Sequence, residues 1–338
     1  MLDKISFSII MPTYNSEKTI EKALRSVRMQ DLPQEEIEIL VIDGGSTDAT
    51  ISIAQRYEAV ILDNPDKLPE YAKRIGFEQA RGRWIVMLDS DEVLTSKSQL
   101  RCRKQLFEDN PNLHCIMLDK YVPGENCGIA CTYATWVGDP FNYIIYGVAS
   151  QSKVEKNKRY LEKETVHGNI YRYKKEDIIP IGDGGSTTID IQKAKQIFGE
   201  EYYSQEFAAS AFGRMVMETG CAGCIPDDKL IHYSRTQLKS YLKKLRFRVY
   251  ANLHDIKQSG YSNRAEGNSI LQKKKYLYVI YTLSIIAPLV DSIRMVIKYR
   301  KPSMVLHFAY TYWVAFCIVY ELCKKILHQE HKVESYGK

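Results

Sequence analysis

The chain has 338 residues, 45% of them apolar and 26% charged, with a formal net charge of +6. That near-average usage argues against a disordered, collagenous or polytopic membrane protein, and the length suits one large domain or two ordinary ones. The charge is uneven: residues 271–338 hold 11 Lys and Arg against 4 Asp and Glu, which leaves −1 on the rest, so the body is no nucleic-acid binder by charge.

Ser6–Met11 (SFSIIM) is a short apolar run of the kind buried on both faces of a parallel sheet. After Pro12 and Asn15-Ser16, Ile20, Ala23, Leu24 and Val27 recur at helical spacing. Ile37–Ile42 (IEILVI) is a second strand-like run, and Asp43-Gly44-Gly45-Ser46-Thr47-Asp48 follows as a turn with a helix cap. A helix from about Ala49 to Tyr57, a third run at Ala59–Leu62, a helix over Leu68–Ala80 and a fourth run at Arg83–Leu88 (RWIVML) complete the pattern. Strands alternating with helices at this pitch predict right-handed crossovers and a parallel sheet, with Trp84 in its core.

Eight cysteines are scattered along the chain. No positively charged leader with an apolar core precedes the first run, so reduced thiols are expected. The closest-spaced pair, Cys221 and Cys224, has no second ligand pair at zinc spacing and reads as structural.

Ligands of such a sheet sit outside the carboxyl ends of its strands. Pro12-Thr13-Tyr14-Asn15, Asp43 and Asp89-Ser90-Asp91 fall there. With no Gly-x-Gly-x-x-Gly and no Walker A loop, phosphate neutralisation needs another device. Asp89 and Asp91 offer two hard oxygen ligands for Mg²⁺ or Mn²⁺ against a diphosphate. The bland alternatives are a solvated turn for this pair and simple capping for Asp43; Asp48 reads as a cap.

The ordered blocks SIIMPTYNSEKTIEKALRSV, EILVIDGGSTDAT and AKRIGFEQARGRWIVMLDSDEV resemble the nucleotide-binding half of the family 2 inverting glycosyltransferases over residues 6–95. The resemblance is to the membrane-associated type that builds bacterial and archaeal envelope polysaccharides. It implies an α/β GT-A fold: a Rossmann-like, mostly parallel central sheet flanked by helices, here followed by C-terminal membrane-associated helices. It also implies that Pro12, Thr13, Tyr14, Asp43, Lys73, Asp89 and Ser90 hold the nucleotide sugar, and that Asp89 and Asp91 bind the metal, with Glu92 behind them. Two positions depart from the pattern: Gly44 stands where a second Asp is usual, and Ala72-Lys73-Arg74 replaces Ala-Arg-Asn.

Residues 100–235 resemble the acceptor half more loosely. Gly182-Asp183-Gly184-Gly185 is similar to the turn before the acceptor-site helix, and Ile197–Tyr202 to the segment leading to the acidic catalytic motif. The motif's usual distance from Gly220 falls on Ala209, so Glu206, on nearly the same helical face, is the candidate base, with Glu201 and Asp183 as competitors. His232, in Ile225–Tyr233 (IPDDKLIHY), is a candidate metal ligand beside the ordinary reading of a partly buried histidine. Arg235, Lys239 and Lys243 then form a basic stripe that reads first as a solvated helix face.

The tail holds two apolar stretches, Tyr276–Val290 and Ser303–Tyr320, both short of the roughly 20 residues of a full span. Lysine and arginine clusters flank every end, including the connecting loop, which opposes a simple hairpin. Tyr276, Tyr278, Tyr281, Tyr310, Tyr312, Tyr320 and Trp313 suit a lipid interface, so helices lying in or dipping into the cytoplasmic leaflet are expected, with a spanning hairpin and a soluble helical pack as the alternatives. The resulting layout is a nucleotide-sugar half (1–98), an acceptor half (99–235), a basic connector (236–270) and membrane-associated helices (271–338). The expected activity is inverting transfer of a sugar from a UDP-, dTDP- or GDP-linked donor to a lipid-linked or envelope saccharide, at an anionic membrane surface on the cytoplasmic face. A sugar nucleotidyltransferase lacks its Gly-rich basic loop here, and a non-catalytic scaffold on the same fold would show no donor turnover.

Overall fold

The computed structural model describes residues 5–146, 152–174, 177, 186–233, 237–254 and 269–328. They divide into two compact units: Met1–Val122 with Gln151–Tyr233, and Pro123–Ser150 with Ser234–Lys338.

The first unit is built on strands β1 (Phe7–Thr13), β2 (Ile37–Asp43), β3 (Val60–Asp63), β4 (Trp84–Met87), β5 (Glu92–Leu94), β6 (Cys115–Met117) and β7 (Lys120–Pro123). Later in the chain come β8 (Leu161–Glu164), β9 (Asn169–Arg172), β10 (Thr188–Asp190), β11 (Cys221–Cys224) and β12 (Lys229–His232). The helices of this unit are α1 (Ile20–Arg28), α2 (Thr50–Arg56), α3 (Pro69–Gln79) and α4 (Gln99–Glu108), then α7 (Lys153–Lys156), α8 (Ile191–Phe198) and α9 (Gln205–Thr219). The second unit holds α5 (Ile129–Val137), α6 (Pro140–Tyr146), α10 (Leu238–Leu253), α11 (Ser269–Leu283), α12 (Ile286–Tyr299) and α13 (Leu306–Ile326).

Nine strands form one sheet in the order β3-β2-β1-β4-β10-β6-β11-β9-β8. The first four are parallel, as the βαβ alternation predicts, with Thr13 opposite Asp43 and Ile10 opposite Met87. Beyond β4 the pairing becomes mixed, because β10 runs antiparallel to both β4 and β6. Successive residues of β1 feed opposite layers. Ile9 joins Val27, Trp84, Leu106 and Phe107, while Ile10 joins Phe77, Ile85, Phe207 and Met215. Trp84 is buried and stacks on Phe107 at 5.1 Å, a contact worth about 1 kcal/mol beyond its buried area. The turn into β4 passes so close to β1 that a Cβ at Gly82 would lie 2.7 Å from the Ser8 nitrogen, so the position accepts only glycine without a shift of backbone. Cys221 and Cys224 sit in opposite layers of the sheet, which bears out their structural reading. The Ile225–Tyr233 stretch adds its strand to a separate three-stranded sheet, β5-β12-β7.

The second unit has its own core of Tyr133, Tyr241, Tyr278, Met295, Tyr310 and Val314. Buried His307 bridges the hydroxyls of Tyr133, 2.5 Å away, and Tyr281, 3.0 Å away. Two of the tail aromatics expected at a lipid interface are therefore internal: Tyr278 and Tyr310 are buried, whereas Tyr276 is 74% exposed. The Tyr276–Val290 stretch is not one helix. It breaks after Leu283 at a bend of 89°, with Ile285 in the left-handed region at φ 55°. The second stretch runs past Tyr320 to make a 25-residue helix, Pro302–Ile326, which is long and apolar enough to cross a membrane. Cys127 and Cys131 form a disulfide at the entry to α5, so not every thiol is reduced; the other described cysteines are free.

Candidate active site

The carboxyl ends of β1, β2 and β4 are laced together by short polar side chains. Ser90 donates from its hydroxyl to the Ser16 hydroxyl at 2.9 Å, and the Ser16 N–H donates to Thr50 Oγ1 at 2.6 Å. The Asn15 N–H donates to Ser46 Oγ at 2.8 Å, and Asn15 Oδ1 accepts from the Thr47 N–H at 2.8 Å. Asn15 takes φ 45°, a conformation that asparagine tolerates better than most residues, and so turns the chain sharply after Tyr14. These polar contacts hold the three loops in register. Pro12 and Thr13 are buried at the end of β1, and Tyr14 is half-buried beside Gly44.

Asp43 is buried and caps its turn: Oδ2 accepts from the N–H groups of Gly45 and Ser46 at 3.0 and 2.8 Å, and Oδ1 from the Ser46 hydroxyl. The capping reading of Asp43 therefore holds, and it does not exhaust the residue, because a carboxylate has about four lone-pair sites. Asp48 caps as expected, accepting from the N–H groups of Thr50 and Glu17. Lys73 is half-buried on α3, and its neighbour Arg74 is paired with Glu78 one turn on. Lys73 is thus the cation of this helix outside that ion pair.

Asp89, Asp91 and Glu92 follow β4 in a tight turn, in which the Asp89 N–H donates to Glu92 Oε2 at 3.0 Å and the Glu92 N–H to the Asp89 carbonyl at 2.9 Å. Glu92 is 4% exposed. Burial, and then the adjacent Asp89 and Asp91 carboxylates, push its carboxyl well above the usual carboxylate range. Asp89, by contrast, is exposed. The small sheet brings in the histidine: His232 pairs with Glu92 across β12 and β5, and its Nε2 lies 3.6 Å from Asp91 Oδ2. Tyr121 flanks the imidazole at 6.2 Å between ring centres and also contacts Glu92. Sequence reasoning missed Tyr121, since a tyrosine before a Val-Pro step carries no motif.

This donor set fits a divalent cation. Asp89 and Asp91 share one turn with Glu92, whose charged form is disfavoured first by burial and then by the two aspartates, and a cation at the aspartates would relieve that repulsion. The two aspartate carboxylates suit Mg²⁺ or Mn²⁺, with the remaining positions left to diphosphate and water, while an imidazole is the more usual ligand of softer metals. Among the described residues no three His, Cys, Asp or Glu side chains converge on one point, so the protein alone supplies a partial set.

In the acceptor half, Glu206 is exposed in the first turn of α9, behind Ser204, whose hydroxyl caps the helix by accepting from the Phe207 N–H at 3.0 Å. Its carboxylate has no hydrogen bond or ion pair among the described residues. Glu201 is instead paired with Arg214 at 2.7 Å, and that hydrogen bond holds it below the usual carboxylate range. Asp183 and the glycine-rich turn around it lie outside the described residues, as does Arg235 of the basic stripe.

Residues 8–126, which carry β1 to β7 and every rim residue except His232, match the family described as Glycosyl transferase family 2. This part of the chain is a glycosyl transferase family 2 domain. Among similar proteins, poly(ribitol-phosphate) beta-N-acetylglucosaminyltransferase TarS of Staphylococcus aureus is 34% identical over 100 residues, 28% of this chain and 18% of that protein. The GalNAc(5)-diNAcBac-PP-undecaprenol beta-1,3-glucosyltransferase of Campylobacter jejuni is 34% identical over 96 residues, 26% of this chain and 30% of that one. The chain therefore spans under a third of the length of these curated relatives. The structure of the mannosyltransferase PcManGT from Pyrobaculum calidifontis, in complex with GDP-Man and Mn²⁺, superimposes with a TM-score of 0.50 at 15% identity, covering 93% of this chain and 87% of that one. The fold is GT-A-like.

Proposed function

We propose that the chain is an inverting glycosyltransferase that moves a sugar from a UDP-, dTDP- or GDP-linked donor to a hydroxyl of a lipid-linked or cell-envelope saccharide. The observation that carries this reading is the turn after β4 in the family 2 domain, where Asp89, Asp91 and Glu92 stand at a strand end and His232 Nε2 lies 3.6 Å from Asp91 Oδ2. The Campylobacter relative, whose name specifies an undecaprenol-linked substrate, favours a lipid-linked acceptor. The apolar C-terminal helices favour work at a membrane, on its cytoplasmic face where nucleotide sugars are made.

In this reading Pro12, Thr13, Tyr14 and Asp43 hold the nucleoside, with Asp43 using the lone pairs that its turn leaves open. Lys73 and the Ser90 hydroxyl meet the phosphates. Asp89, Asp91 and His232 would hold Mg²⁺ or Mn²⁺, which when bound supplies charge neutralisation at the diphosphate. Glu92 sets the orientation of the Asp89 backbone. Glu206 takes the proton of the acceptor hydroxyl as that oxygen attacks the anomeric carbon from the face opposite the diphosphate, which inverts the centre. Glu201 is the weaker candidate because its carboxylate is paired with Arg214. Incubation of the protein with a panel of nucleotide sugars and Mn²⁺, followed by assay of released nucleoside diphosphate, tests the reading. Slow hydrolysis of one donor is expected, and hydrolysis of none would overturn it.

A further inference from the structure

The helix that is long enough to cross a membrane is held by a partner that is not. α10 lies along the second half of α13: Trp313 Nε1 donates to the Leu242 carbonyl at 3.0 Å, and Lys325 Nζ to the Leu253 carbonyl at 3.3 Å. Between these ties, Arg246 and His254 approach the buried carboxylate of Glu321 to 3.8 and 3.6 Å. The pairing thus runs over about 18 Å of helix. Along it α10 carries exposed Lys239 and Lys243, half-buried Lys244, Arg246 and Arg248. A crossing by α13 would draw this basic helix into hydrocarbon, where each lysine or arginine strongly opposes insertion.

The other apolar surface is the corner between α11 and α12. Leu283 is 77% exposed and Ile286 70%, and Ile280 and Ile285 beside them are exposed as well. Ile293 and Ile297 continue the strip along one face of α12, while Pro288, Ser292 and Met295 are buried on the other. The two arms meet at 89°, and the 14 residues of α12 reach only about 21 Å, short of the roughly 30 Å of a hydrocarbon core. Exposed Arg294, Lys298, Arg300 and Lys301 border the strip. An apolar edge rimmed by cations complements a surface of apolar chains beneath anionic headgroups.

We infer that the α11–α12 corner enters one leaflet of an anionic phospholipid bilayer, and that α13 packs on α10 at that surface without crossing. The inference rests on the membrane association proposed above and specifies how it is made. Full-length protein should float with phosphatidylglycerol-containing phosphatidylcholine vesicles, and Leu283→Asp with Ile286→Asp should weaken binding by about tenfold or more, since both sites are exposed and the fold has no need of them. A Leu283→Trp variant should bind as wild type and be quenched by lipids brominated in the acyl chain. A membrane-impermeant amine reagent added outside sealed vesicles should label both Lys301 and Lys325. Flotation of the double-Asp variant like wild type, absence of quenching at 283, or labelling at only one end of α13 would overturn the inference. Nucleotide-sugar hydrolysis measured without vesicles separates the two failures, because the catalytic reading stands or falls there independently of lipid.

Discussion

Arg103 is a fully buried cation whose removal should be costly. From α4 its Nη2 and Nε donate to Asp228 Oδ2 at 2.7 and 3.2 Å, and its Nη1 to the Ser186 carbonyl at 2.8 Å and Thr188 Oγ1 at 3.1 Å. Asp228, 5% exposed, otherwise receives the Gln99 amide, and it directly precedes β12 with His232. Replacing Arg103 by Leu strands a buried carboxylate, an effect of about 3–5 kcal/mol. Adding Asp228→Asn removes the stranded charge and should recover roughly 1–3 kcal/mol of that loss. Urea denaturation of wild type, single and double variants, compared at constant slope, reads both numbers. A loss below about 1 kcal/mol for Arg103→Leu, or a double variant no more stable than the single, would mean that removing Arg103 does not strand the Asp228 carboxylate.

Three further outcomes follow from other contacts. Glu206→Gln should abolish transfer to acceptor while leaving nucleotide affinity within a few-fold by calorimetry; transfer at the wild-type rate would move the base elsewhere. Gly82→Ala, whose Cβ would meet the β1 backbone at 2.7 Å, should cost about 1–3 kcal/mol in thermal or urea unfolding. Asp190 caps α8; burial raises its pKa, but His114 at 3.6 Å, the Lys193 N–H at 3.0 Å and Arg83 outweigh burial and leave it below its ordinary value of 3.8. A depressed acid stabilises above its unfolded pKa, so the gap of about 1 kcal/mol between wild type and Asp190→Asn should persist at neutral pH and close as pH falls below about 4.

The first four strands and three helices were legible because each carries its own signal. β1, β2 and β4 are predominantly apolar runs, broken in the first two only by Ser8 and Glu38 before their polar ends, and Ile20, Ala23, Leu24 and Val27 all face the core at helical spacing. The rim was legible for the same reason, since strand ends fix where Asp43, Asp89 and Asp91 must fall. β10 was not, because three residues inserted antiparallel between β4 and β6 are defined by partners distant in sequence. Nor does a run such as Tyr276–Val290 report its own break: composition records apolarity, while the 89° corner depends on what packs against Tyr278 and Met295. The basic stripe of α10 was readable as charge, but not the fact that α13 lies against it. Cys127 and Cys131, four residues apart, meet only because the chain turns into α5 there.

Asp89, Asp91 and His232 are proposed to serve turnover of a nucleotide sugar. The most direct test is the release of nucleoside diphosphate from the donor found in the panel, measured with Mn²⁺ for wild type and Asp91→Asn, and for wild type in EDTA. The substitution keeps the side-chain volume and removes one hard anionic ligand, so turnover should fall by roughly 10²-fold or more with the unfolding curve unchanged, and EDTA should have the same effect. Wild-type turnover in EDTA, or in Asp91→Asn, would contradict the account.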